Sequence, residues 1–131
     1  MASPPDWSHQ VVLECEAVSA GRARDFVCRH LAAHRLPHLV EDIRLVASEL
    51  ATNAMDHART PFVVTLSMAG GTVLLGVQDG SDAIPVRSAS GCMDVHGRGL
   101  VIVESLSSAW GFSTDDRGFK SVWATFPERH Q

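Results

Sequence analysis

One run of residues fixes most of what this chain can fold into. Val40, Ile43, Val46, Ala47, Leu50 and Ala54 recur at helical spacing. Together they make an apolar stripe along one side of an α-helix. Pro37 stands just ahead of the run, and Glu41 and Asp42 fall in its first turn, where acids suit the helix dipole. Pro61 ends it. Immediately beyond, residues 62–68 and 72–78 are rich in β-branched side chains and flank Ala69-Gly70-Gly71, a pattern that predicts a hairpin. A one-sided helix followed by a hairpin must bury its stripe against another element, so the chain is committed early to layers packed face to face.

The flanking segments fit that frame. Residues 10–16 alternate weakly around Val11, Val12, Leu13 and Cys15 and predict a strand. Ser19 is placed to cap a first helix carrying Ala23, Phe26, Val27, Leu31 and Ala32 on one side, up to about His34. Leu100, Val101, Val103, Leu106 and Ala109 predict a third helix, opened by Gly97-Arg98-Gly99. Residues 110–113 and 120–126 predict a closing strand pair. Strands and helices mix without strict β-α-β alternation. The expected fold is therefore α+β, a two-layer sandwich of a mixed, mainly antiparallel sheet with about three helices on one face. Residues 1–9, broken by prolines, are expected as a flexible arm, and residues 10–131 as a single domain.

Composition narrows the function classes. A net charge of −4 leaves no basic surplus to grip a nucleic-acid backbone. No apolar run reaches the ~20 residues of a membrane span. Cys15, Cys28 and Cys92 are scattered and odd in number, matching neither a disulfide framework nor paired zinc ligands. A reducing cytoplasm is the expected home.

Three short segments carry chemistry. Glu49 and Asn53, four apart, share one helix face. A carboxylate beside a carboxamide can hold Mg²⁺ and orient an attacking hydroxyl, although many exposed helices carry such a pair as plain solvated surface. Asn is also a poor choice for a helix interior, and this polar stripe borders the apolar one. Asp79-Gly80 is a common turn dipeptide, but a carboxylate ending a buried strand can also accept a hydrogen bond from the exocyclic amine of adenine. Gly97-Arg98-Gly99 can be a flexible loop end, or can let backbone N–H groups approach a phosphate. No Gly-Lys-Ser/Thr ending completes a Walker-type loop.

In this order and spacing the segments resemble the GHKL ATP-binding family. Glu49-xxx-Asn53 is similar to its N-box, Asp79 to its adenine-reading aspartate, and Gly97-x-Gly99-Leu100 to its second glycine box. The run Ser48-Glu-Leu-Ala-Thr-Asn-Ala, then Gly-Arg-Gly-Leu, Ala-Trp110-Gly and Lys120-Ser-Val-Trp123-Ala, resembles the small stand-alone branch of anti-sigma-factor serine/threonine kinases, as actinobacteria carry it. The resemblance implies a histidine-kinase-like ATPase fold and the cofactors ATP and Mg²⁺. It implies Asn53 as a Mg²⁺ ligand, Glu49 as catalytic base, and Asp79 on the adenine amine. Gly97, Arg98, Gly99 and Leu100 would lie against nucleotide, Ser121 would help hold adenine on the last strand, and residues 83–96 would form a lid.

The partners it implies are a sigma factor and an anti-anti-sigma protein, with a possible homodimer. Direct nucleic-acid contact and a membrane are not expected. Arg22 and Arg24, on positions that the first helix's apolar stripe leaves free, are candidates for the partner surface. Where histidine kinases commonly show Asp-x-Gly-x-Gly, this chain has Asp79-Gly-Ser81-Asp-Ala83, without the later glycines. That departure keeps two alternatives open: a non-catalytic, ATP-binding module that sequesters its partner, and a histidine-kinase-like catalytic domain serving a separate phosphoacceptor.

Overall fold

The computed structural model describes residues 6–80, 95–114, 116–117 and 119–129. Strand β1 (Trp7–Leu13) leads to helix α1 (Val18–Ala33), a 3₁₀ turn (Pro37–Leu39) and helix α2 (Val40–Ala58). The hairpin β2 (Phe62–Ala69) and β3 (Thr72–Asp79) follows, then α3 (Val95–Leu106), β4 (Ala109–Thr114) and β5 (Lys120–Pro127). The five strands form one sheet in the order β1-β2-β3-β5-β4. Every neighbouring pair is antiparallel, so the described sheet contains none of the parallel pairing that a mixed sheet would require. The two-layer α+β architecture is as the sequence predicts.

Alternation along the strands builds the core. Val64, Leu66, Val73, Leu75 and Val77 point inward and meet Val27, Leu31, Ile43, Val46 and Leu50 from α1 and α2, all at most 3% exposed. Each such side chain contributes about 1.5–3 kcal/mol by leaving water. The hairpin turn needs positive φ at both central residues, and Gly70 (59°) and Gly71 (79°) supply it. On the sheet face away from the core, Trp123 sits in register between Gly76 and Gly111. A Cβ on Gly111 would come within 2.5 Å of the indole, so the glycine makes room for the ring.

Several boundaries differ from expectation: α3 ends at Leu106, and Ala109, expected on that helix, opens β4 because it pairs with Thr125. Ser19 is not a cap: Ala17 holds that position, and the buried Ser19 hydroxyl instead donates to the Glu14 carbonyl at 2.6 Å. Nor are residues 7–9 a loose arm. β1 begins at Trp7 because the indole stacks on His34 at 3.9 Å between ring centroids, while His9 stacks on His30 at 3.9 Å. His9 and His34 share a hydrogen bond of 2.8 Å between their Nε2 atoms. One of those nitrogens must accept, so the pair cannot be doubly protonated and keep the bond.

This cluster makes stability pH-dependent. Burial, then the charges of His9, Arg29 and His34, lower the His30 pKa from 6.5. Burial and His9 lower that of His34. Protons therefore bind the unfolded chain first. The stabilisation is fully present above pH 6.5 and is lost as pH falls through the depressed folded-state values. In urea titrations between pH 7.5 and 5, the wild type is expected to lose more stability than a His30→Gln/His34→Gln variant. Parallel losses would disprove a role for these two imidazoles.

Candidate nucleotide site

Helix α2 places Glu49 and Asn53 one turn apart, about 6 Å along the axis. Glu49 is half-buried at the edge of the apolar stripe, and Asn53 is only 6% exposed. Among the described residues, Asn53 Oδ1 finds no hydrogen-bond partner. An orphaned buried acceptor costs about 1–3 kcal/mol, and a residue of low helix propensity adds to that cost. A carboxamide oxygen is a hard, neutral donor of the kind Mg²⁺ accepts. The residues present thus fit the metal: Asn53 would hold it, with Glu49 beside it on the same face. When bound, Mg²⁺ would neutralise phosphate charge.

The end of β3 supplies the second part. Asp79 is 2% exposed, and the Gly80 N–H donates to Thr60 Oγ1 at 3.2 Å, tying the strand end to the segment just after α2. Across the sheet, Asp79 pairs in register with Lys120, so both side chains enter the helix-facing layer. Lys120 is 1% exposed, with Nζ 3.9 Å from Asp79 Oδ2. That distance makes an ion pair but exceeds a hydrogen bond. Among the described residues the ammonium has no hydrogen-bond partner. Burial pulls its pKa below the ordinary lysine value, and the Asp79 carboxylate opposes the shift.

Ser121, expected to help hold adenine, sits one residue further along β5 and opposite Gln78. Strand alternation sends it to the other face of the sheet from Asp79, where it is half-buried. Lys120 occupies the inward position instead. Counting back by two from the core residues Phe126, Ala124 and Val122 would have found it, but a lysine carries no apolar signal of its own.

Gly97, Arg98 and Gly99 lie inside the first turns of α3, which starts at Val95 instead of after the glycines. Leu100, 2% exposed, fixes this helix into the layer with α2. The expected lid, residues 83–96, falls outside the described residues up to 94. On α1, Arg24 Nη1 donates to Ser48 Oγ at 3.0 Å, joining α1 to α2 beside Glu49, whereas Arg22 is exposed.

No helix among the described residues is long and apolar enough to cross a membrane. No curated protein matches the chain. A family model described as the histidine kinase-like ATPase domain matches residues 12–126, which run from the end of β1 into β5 and include Glu49, Asn53, Asp79 and Lys120. A match to such a domain implies ATP binding. The chain therefore belongs to the histidine kinase-like ATPase domain family.

Proposed function

We propose that this protein is an anti-sigma regulator that uses Mg·ATP to phosphorylate a serine or threonine of an anti-anti-sigma partner. The observation that carries the reading is the buried Asn53 Oδ1, unsatisfied among the described residues and one helical turn from Glu49. In this scheme Asn53 holds the metal side of the nucleotide, Asp79 accepts from the adenine amine, and Glu49 takes the proton of the attacking hydroxyl. Serine/threonine specificity and the sigma-factor partner are supported by the resemblance of residues 48–54, 97–100, 109–111 and 120–124 to the stand-alone kinases. Arg22 is available to a partner's carboxylate. Arg24, already bonded to Ser48, is less so.

The absence of glycine at Ser81 and Ala83 favours a second reading, a passive ATP-binding module that acts by capture alone. Labelled ATP incubated with the purified chain and candidate partner proteins separates the two. Label on a partner serine or threonine supports the kinase. Label on histidine moves the protein to the histidine-kinase-like alternative. Capture of a partner without label leaves the module.

Nucleotide preference follows from Asp79. Calorimetry with Mg²⁺ present is expected to show ATP and ADP bound about tenfold or more tightly than GTP and GDP, the scale of one charge-assisted hydrogen bond. Asn53→Ala is expected to abolish the Mg²⁺ dependence of that binding. Equal affinity for ATP and GTP would remove Asp79 as the reader of the base.

A further inference from the structure

The Asp79–Lys120 pair has a second use, and it rests on the nucleotide reading above. We infer that Lys120 is a base-reading residue, donating from its ammonium to adenine N1 while Asp79 accepts from the N6 amine. Three observations point there. The side chain is 1% exposed yet enters the same layer as Asp79, directly opposite in the β3–β5 register. Its Nζ stands 3.9 Å from the carboxylate, close enough for attraction and too far for a hydrogen bond. Its donors find no acceptor among the described residues.

A buried ammonium with unused donors beside a buried carboxylate is a donor and an acceptor side by side. Adenine presents the complement on one edge: an amine that donates and, next to it, a ring nitrogen that accepts. In the same pose guanine mismatches both. Its O6 would face the Asp79 carboxylate, acceptor against acceptor. Its N1–H would face the ammonium, donor against donor. Lys120 thus adds to the selection that Asp79 makes alone.

The test changes one atom of the ligand before it changes the protein. ATP and 1-deaza-ATP, in which N1 is replaced by C–H, are titrated with Mg²⁺ into the wild-type chain by calorimetry. The expected result is 1-deaza-ATP bound about ten- to a hundredfold more weakly, the range for losing a hydrogen bond to a charged group. Lys120→Met keeps the stem and removes the donor, so it should bind both ligands alike, at the wild type's weaker affinity. It should also narrow the gap between ATP and GTP. Wild type binding ATP and 1-deaza-ATP equally overturns the role of Lys120 and leaves the nucleotide site standing. Wild type binding no adenine nucleotide overturns both. Should Lys120→Met fail to fold, the wild-type comparison decides alone.

Discussion

Glu49→Gln is expected to bind ATP within about threefold of wild type and to transfer phosphate to its partner about 10²–10⁴ times more slowly, the usual contribution of a general base. The substitution is nearly isosteric. Glu49 is half-buried on the flank of α2. An amide there can still occupy the face shared with Asn53, but it cannot take a proton from an attacking hydroxyl. Binding and chemistry should therefore separate cleanly in this variant, whereas Asn53→Ala should damage binding first. Calorimetry and the initial rate of label transfer measure the two quantities on the same preparation. A Glu49→Gln protein that phosphorylates at the wild-type rate would show that the proton goes elsewhere, and would remove the base from the scheme. A variant that loses ATP affinity as well would make Glu49 a positioning group for the nucleotide.

How far the sequence discloses this fold depends on how each element announces itself. The stripe from Val40 to Ala54 and the hairpin around Gly70-Gly71 are legible because period and turn chemistry agree locally. β1 starts earlier than its alternation implies, since the force that holds Trp7 is a stack on His34, 27 positions away in sequence. Ser19 reads as a cap because the residue type suits one, yet its hydroxyl serves the Glu14 carbonyl from inside the helix. Glu49, Asn53 and Asp79 are legible as a candidate site only through their order along the chain. The burial of Lys120 is not legible, because charge masks it. A lysine at a strand terminus looks solvated until the register with Asp79 turns it inward.

The same pairing leads to the second large effect. Asp79→Ala is expected to destabilise the folded chain by about 3–5 kcal/mol, the cost of leaving one partner of a buried ion pair uncompensated. Lys120 cannot swing into solvent, because its side chain is 1% exposed and flanked on β5 by the core residue Val122. Part of the loss can be relieved by deprotonating the ammonium, whose pKa burial already lowers and which would no longer feel the opposing carboxylate. Removing both charges should therefore be milder than removing one. Asp79→Ala/Lys120→Met is expected to recover most of the loss, since a buried pair replaced by apolar groups is often neutral. Urea denaturation of the wild type, both single variants and the double variant closes the cycle and yields the coupling energy directly. A double variant no more stable than Asp79→Ala would mean that the carboxylate, and not the orphaned ammonium, was the source of the loss. The cycle also separates stability from recognition: the double variant should fold well and still fail to prefer adenine, because the donor and the acceptor that match its edge are both gone.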